Sequence, residues 1–338
     1  MASRISRAKI HGAPKADLHV HLEGTISPEM LHALAKRNNV DIGFDCPEAI
    51  AAAYEFPDLN SFLQVYYAGL RVLLSQDDFY AITFDHLSRA HEESTRYIEF
   101  YTSPQSHIER GIPASVMLAG IFRACDDAEA KWGIKANVIY GLQRHRNEAD
   151  ALAAIKEAEP FAERIIAIGL GGPERNNPPS RFVLAFERAR ELGWRTTVHA
   201  GEEGPANYIS QALDLLRADR IDHGVAAEQD LALVARLAAT RVPLTVCPIS
   251  NVKLKVFDSL EQHNARRLLE AGCIVTFNTD DPSYFKADLT ENILRTSRAL
   301  DLSDDQIFEV MRNGFEGAFC DRSLKLATQQ SLHSYWYN

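Results

Sequence analysis

Residues Phe182 to Ala200 read FVLAFERARELGWRTTVHA, and this stretch contains one whole building unit of the chain. Phe182, Ala185, Phe186 and Ala189 stand at i, i+3, i+4 and i+7, the apolar stripe of a helix. Gly193 stops that helix, and Arg195 to Ala200 follows as a β-branched run ending in a histidine. Just beyond Gly204 a second stripe begins, on Ile209, Ala212, Leu213 and Leu216. Similar strand-like runs occur at Ala16 to Leu22, Arg96 to Thr102, Lys135 to Leu142, Ile165 to Gly171, Arg220 to Gly224, Pro243 to Pro248 and Cys273 to Asp280, eight in all with Arg195 to Ala200. From the second run onward their starts lie roughly 24 to 40 residues apart, room for a strand, a helix and two loops. Strand alternating with helix means right-handed βαβ units and a parallel sheet, and eight units are the number that closes into a (β/α)8 TIM barrel of the α/β class. A doubly wound open sheet is the rival.

The first gap differs. Arg96 comes 74 positions after Leu22, with helical stretches near Pro28 to Arg37, Pro47 to Tyr54, Leu59 to Leu73 and Asp77 to Glu93 between them. That predicts a helical insertion over residues 23–95, above the barrel mouth, because long structured loops often serve as lids. Beyond Asp288 the chain reads as C-terminal helices, with Ile307, Val310 and Met311 on one face. No linker or repeat divides it, so residues 1–338 are expected to form a single barrel domain.

Hydrophobic residues make up 46% and charged residues 24% of the chain, an ordinary globular balance. The formal net charge of −10 disfavours nucleic acid and anionic membrane as partners, since both are bound through Lys and Arg. No run approaches the ~18 apolar residues of a membrane span. The basic start, with Arg4, Arg7 and Lys9, lacks the apolar run of a secretory leader. Cys46, Cys125, Cys247, Cys273 and Cys320 stand far apart with no C-x-x-C pair, so neither a disulfide framework nor a thiolate zinc site is written here. A cytoplasmic protein with a small-molecule partner is expected; the oligomeric state is open.

Titratable residues collect where these runs end. The first run ends in His19-Val20-His21, and period-2 geometry points both imidazoles to one side of a strand. The fifth ends His199-Ala200-Gly201-Glu202, the sixth Asp222-His223-Gly224 and the eighth Asn278-Thr279-Asp280-Asp281-Pro282. In a barrel, C-terminal strand ends carry the catalytic groups. Three histidines and a carboxylate converging on one point suit a borderline divalent ion such as zinc, with an open position for water. Glu202, His223 and Asp281 remain as an acid, a base and an orienting carboxylate for hydrolytic attack on an electrophilic carbon. Blander readings exist: Asp280-Asp281-Pro282 is ordinary turn chemistry, and Glu202-Glu203 suits the start of a helix near Pro205. Of the remaining histidines only His107, just past a strand end, invites attention. No phosphate-binding loop, G-x-S-x-G elbow, H-E-x-x-H helix or cytidine-type Cys-x-x-Cys is present. The fourth run ends Gly169-Leu170-Gly171-Gly172-Pro173-Glu174, without the lysine that usually bridges two metals in amidohydrolases, so one metal per chain is expected.

From about Pro14 to about Phe315 the chain resembles the adenosine/adenine deaminase family of the amidohydrolase superfamily. The resemblance rests on Pro14-Lys15-Ala16-Asp17-Leu18-His19-Val20-His21-Leu22-Glu23-Gly24-Thr25, His199-Ala200-Gly201-Glu202-Glu203-Gly204-Pro205, Arg220-Ile221-Asp222-His223-Gly224, Cys247-Pro248-Ile249-Ser250-Asn251 and Thr279-Asp280-Asp281-Pro282. It implies one zinc held by His19, His21, His199 and Asp280, with Glu202 donating a proton to purine N1, His223 orienting the attacking hydroxide, Asp281 meeting N7 and the Gly172 amide meeting N3. Glu23, the Gly-Glu-Glu-Gly-Pro run and Arg-Ile-Asp-His-Gly look most like the adenine-specific subgroup, which implies purine salvage and conversion of adenine to hypoxanthine and ammonia. Adenosine or another N6- or N9-substituted adenine, such as aminodeoxyfutalosine, is the alternative. A cyclic-amide or phosphoester hydrolase, or a non-catalytic metal-binding protein, stands further off. Glu23, two residues past His21, is expected to reach the space of a ribose and accept a hydrogen bond from N9–H. The chain departs from the subgroup at Gly171-Gly172-Pro173, where Asp-Ser-Ser is usual, and at Tyr284-Phe285-Lys286-Ala287-Asp288, which replaces a Gly-Gly-containing stretch.

Overall fold

The computed structural model describes residues 5–56 and 58–338; Arg4 lies outside them. Eight strands run β1 Lys15–His21, β2 Thr95–Thr102, β3 Lys135–Gln143, β4 Ile165–Gly171, β5 Arg195–Ala200, β6 Arg220–His223, β7 Leu244–Val246 and β8 Val275–Phe277. Each pairs in parallel with the next, in the order β1 to β8. The last strand then returns to the first. A parallel bridge joins Val20 to Asp280, the His21 amide donates to the Asp280 carbonyl at 2.7 Å, and the Asp280 amide donates to the His19 carbonyl at 2.9 Å. That closure makes a (β/α)8 barrel and disposes of the open-sheet alternative.

The seventh and eighth strands are shorter than their apolar runs. Pro248 has no amide hydrogen and opens the helix Pro248–Lys253, while Asp280 adopts φ +63°, which no strand continues. Asn278 substitutes a side chain for the missing ladder: its Oδ1 accepts from the Leu18 amide at 3.0 Å and its Nδ2 donates to the Val246 carbonyl at 3.1 Å.

After α1 (Arg7–Gly12) and β1 come α2 (Pro28–Arg37), α3 (Pro47–Ala52), α4 (Leu59–Gly69) and α5 (Gln76–Glu92). Local chemistry starts them: Ser27 and Pro28 open α2, and reciprocal capping boxes open α4 at Asp58/Ser61 and α5 at Ser75/Asp78. Within the stretch 23–95, α4 lies over the mouth of the barrel, and Tyr54 and Phe62 pack on Tyr284 with ring centroids 4.4 and 5.4 Å away. The last helix, α5, belongs to the outer ring instead. It lies against the helix Ala114–Trp132 so closely that a Cβ on Gly120 would come within 2.2 Å of the Gln76 carbonyl. Among the C-terminal helices, Asp304–Gly317 covers the β8–β1 seam, with Ile307, Val310 and Met311 buried and Asn313 Nδ2 donating to the Val275 carbonyl at 3.2 Å.

Along β1 a bulge interrupts the pairing with β2 between Asp17 and Val20; His19 and His21 reach Tyr101 in the lumen, while Asp17 faces α5 beside His86, Arg89 and Ala90. The lumen is apolar at Tyr101, Ile139 and Ala167. At its N-terminal end, buried Arg220 donates to Glu99 at 2.5 Å and lies over the Phe319 ring. No helix among the described residues is long and apolar enough to cross a membrane.

Candidate active site

Four side chains converge at the C-terminal mouth. His19 Nε2 lies 3.1 Å from His199 Nε2 and 3.3 Å from Asp280 Oδ1; His21 Nε2 lies 3.3 Å from His199 Nε2 and 3.2 Å from Asp280 Oδ1. The protonation pattern follows from their other contacts. His19 Nδ1 faces the Thr245 carbonyl at 3.3 Å, which only accepts, so the proton sits on Nδ1 and Nε2 is a bare lone pair. His199 Nδ1 faces the carboxylate Asp222 Oδ2 at 3.3 Å, with the same consequence. Bare nitrogens and a carboxylate oxygen this close repel unless a cation lies among them, and the donor set of three imidazoles and one carboxylate fits zinc. Asp280 reaches the cluster because its backbone turns at φ +63°, and Ser250 Oγ donates to its other oxygen at 2.6 Å.

Asp222 braces this arrangement from below. It accepts from Thr197 and Thr245 hydroxyls, each at 2.7 Å, and from the Tyr101 hydroxyl. Burial works against its charge, but His19, His199 and Arg220 outweigh burial and hold the carboxyl well below its usual range.

Beside the cluster stand the three remaining groups expected from the strand ends. His223 Nε2 lies 3.6 Å from Glu202 Oε2. Burial, and after it the carboxylates of Asp280, Glu174, Glu203 and Asp281, pushes the Glu202 carboxyl well up, toward the protonated form that a proton donor needs. Burial and Asp280 push Asp281 up as well, and its Oδ1 has no hydrogen-bond partner among the described residues. Gly24 makes room for it, since a Cβ there would sit 2.0 Å from Asp281 Oδ1.

A cavity of about 620 Å³ joins these groups, lined by His21, His199, Glu202, His223, Asp280 and Asp281 on the metal side. Gly171, Gly172 and Gln143 form one wall, and Gly172 holds φ +93°, a conformation that side chains rarely adopt. An acid, an imidazole and a free carboxyl oxygen around a cation site and a flat slot are the equipment for adding water across a C=N bond and expelling an amine.

The adenosine deaminase family model matches residues 14–335. The chain belongs to that family. This deaminase is an aminohydrolase of C–N bonds, and it is 46% identical over 329 residues to the adenine deaminase of Paraburkholderia xenovorans, covering 96% of this chain and 94% of that one. An adenine deaminase from Ralstonia pickettii is 46% identical over 332 residues, covering 97% and 96%. Among solved structures, adenine deaminase from Arthrobacter aurescens superposes with a TM-score of 0.93 at 37% identity, covering 96% of this chain and 99% of that one. An amidohydrolase from Burkhoderia ambifaria with bound Zn gives a TM-score of 0.91 at 29% identity, covering 99% and 94%.

The deaminase roof comes from α4, whose Leu59, Phe62, Leu63, Tyr66 and Tyr67 line the cavity. Glu23 sits behind that lining rather than in it. Its Oε1 accepts from the Ser103 amide at 2.9 Å and from His107 Nε2 at 3.0 Å, and its Oε2 accepts from the Tyr66 hydroxyl at 3.3 Å. Arg110 donates to His107 Nδ1 at 2.7 Å, which fixes the His107 proton on the nitrogen facing Glu23. Burial opposes the Glu23 charge, yet His107 and Ser103 hold its pKa below the usual value. The hydrogen bond expected from N9–H is therefore not what pairs this charge, because His107 already does.

Sequence reasoning passed over several residues that build the site. Glu174 carries the loop after β5: its Oε1 accepts from the Gly201 amide at 2.7 Å, and its Oε2 from the amides of Glu202, Glu203 and Gly204 at 2.8–2.9 Å. Buried Arg144 donates to the His199 carbonyl at 2.6 Å. A carboxylate just past the Gly171-Gly172-Pro173 turn was the available signal for Glu174; nothing in the local sequence marked Arg144.

Proposed function

We propose that this chain hydrolyses adenine to hypoxanthine and ammonia in the cytoplasm, using one zinc held by His19, His21, His199 and Asp280. The observation that carries the reading is that Glu202 and the unpartnered Oδ1 of Asp281 line one cavity beside that ligand cluster. A zinc bound there would lower the pKa of a water toward ~7. The neutral Glu202 donates its proton to N1 as water adds at C6, so the C6–N1 double bond's electrons have somewhere to go. Asp281, also neutral, donates to the N7 lone pair, and the amide of Gly172 meets N3. His223 holds the attacking oxygen over C6. As the added hydroxyl forms the C6–O double bond its proton passes to the amino group, which leaves as ammonia; the other proton of the water restores Glu202, and the product is hypoxanthine.

Free-base preference, on this reading, comes from the aromatic roof of α4 over the side of the slot where a sugar would extend, with Glu23 acting through Ser103 and Tyr66. The names of the 46%-identical relatives support adenine, and the five free cysteines suit a reducing compartment. The test is kcat/KM for adenine against adenosine, with metal analysis of the same sample. An adenine preference of about 10² or more, at about one zinc per chain, is expected. A ratio at or below unity would overturn the free-base assignment, and full metal occupancy in His199→Ala would remove that ligand.

A further inference from the structure

Three buried residues outside the ligand cluster connect to His223 in a line whose direction is set at its far end. The Ala265 backbone amide donates to His263 Nδ1 at 3.1 Å. A backbone amide can only donate, so Nδ1 is a lone pair and the proton of the neutral ring is on Nε2. His263 Nε2 lies 3.2 Å from Asn251 Oδ1, so the oxygen of that amide accepts there and its NH₂ points the other way. Asn251 Nδ2 lies 3.2 Å from His223 Nδ1. His223 must therefore accept at Nδ1 and carry its proton on Nε2, the nitrogen that faces Glu202.

All three side chains are buried, so water does not compete for these positions. Phe257 packs on the His263 ring at 4.3 Å, and Asn264 ties the same loop to the Val225 carbonyl at 2.7 Å. His223 ends β6, whereas Asn251, His263 and Ala265 all belong to the connection between β7 and β8, and the line forms only in the folded barrel.

We infer that Asn251 and His263 are positioning residues that lock His223 in the Nε2–H tautomer, so that His223 meets the attacking oxygen as a hydrogen-bond donor. The inference about turnover rests on the deaminase mechanism proposed above; the tautomer itself does not. A His223 of the opposite tautomer would offer a lone pair to the same oxygen and compete for its proton instead of aligning it.

The test is long-range ¹H–¹⁵N correlation on ¹⁵N-histidine-labelled, zinc-loaded enzyme, with His223 assigned by its disappearance in His223→Gln. Wild-type His223 should show a protonated Nε2 and a bare Nδ1; a protonated Nδ1 overturns the inference whatever the substrate proves to be. Asn251→Asp replaces the donor with a group that only accepts, so the tautomer should switch and kcat should fall about 10-fold or more at little changed KM. His263→Leu removes the end that orients the amide and should give mixed tautomers. His263→Gln, which can still donate to Asn251 Oδ1, should restore the Nε2–H form and most of the lost kcat. An Asn251→Asp enzyme that keeps the wild-type tautomer and kcat, with native circular dichroism, also overturns it. If adenine is not the substrate, the spectra still decide the tautomer, and kcat is read on whichever aminopurine the enzyme turns over.

Discussion

Gly24 and Asp281 are far apart in sequence, yet neither can change without the other. A methyl group on Gly24 would overlap Asp281 Oδ1, so Gly24→Ala should push that carboxyl out of the slot. The expected outcome is a fall in kcat/KM of at least about 10-fold with zinc content unchanged, checked by steady-state kinetics and elemental analysis on one preparation. Glu202 gives a cleaner test. Glu202→Gln keeps shape and hydrogen bonding but has no proton to donate, so turnover should drop by about 10² or more while metal stays bound. Wild-type turnover in the metal-loaded variant would assign the proton to another group. These residues could be read from the chain because each ends a strand with an unusual side chain. Glu174 and Arg144 could not: each acts on backbone groups tens of residues away that look alike in any sequence, and His263 acts only through the side chain of Asn251.

At the scale of elements, period and punctuation identified the helices of residues 23–95, those after β4 and β5 and the C-terminal ones, but not Ala114–Trp132 or Glu148–Ala158, and the breaks came from tertiary demands. The apolar run expected from Leu59 to Leu73 stops being α-helical at Gly69 and tightens into a 3₁₀ turn at Leu70–Val72. Gly69 also lies under the Tyr284 hydroxyl, which a Cβ there would approach within 2.9 Å. The chain's departure at Tyr284–Asp288 now has a physical account. Tyr284 packs into the roof, and Lys286 holds φ +54°, the left-handed region that glycine enters most freely. Phe62 is the keystone of α4, touching Phe56, Tyr66, Tyr284 and Phe285. Phe62→Ala should destabilise the fold by about 3 kcal/mol, read by denaturant titration, and should narrow the preference for adenine over adenosine by opening the roof. An unchanged ratio would show that α4 is only structural.

For the molecule as a whole, buried neutral histidines set the response to acid. His86, on α5, is fully buried, and burial aided by Arg89 pushes its pKa from 6.5 down to about 3. The unfolded chain takes up a proton below 6.5 that the folded chain refuses until about 3. The stability is therefore complete above 6.5 and is lost as the pH falls through that window. For this one group the loss by pH 5 is about 2 kcal/mol. Tm should fall between pH 7 and pH 5, and fall less in His86→Gln; parallel curves would assign the acid sensitivity elsewhere. His263, also held near 3 by burial, adds to the same slope.

The seam where β8 meets β1 has two backbone hydrogen bonds and an asparagine side chain in place of a full ladder. His19 and His21 stand on one side of it and Asp280 on the other. An ion gripping all three is thus a cross-link between the two ends of the barrel, closing a ring of more than two hundred residues of chain. Taken as a loop-closure restraint, such a tie is worth of the order of 5 kcal/mol, although strain and ion binding by the unfolded chain reduce it. Stripping the ion with a chelator should lower Tm. It should also speed hydrogen exchange at the Leu18 and His21 amides well before those of β3 and β4, so that the barrel unzips along the line its chemistry is built on.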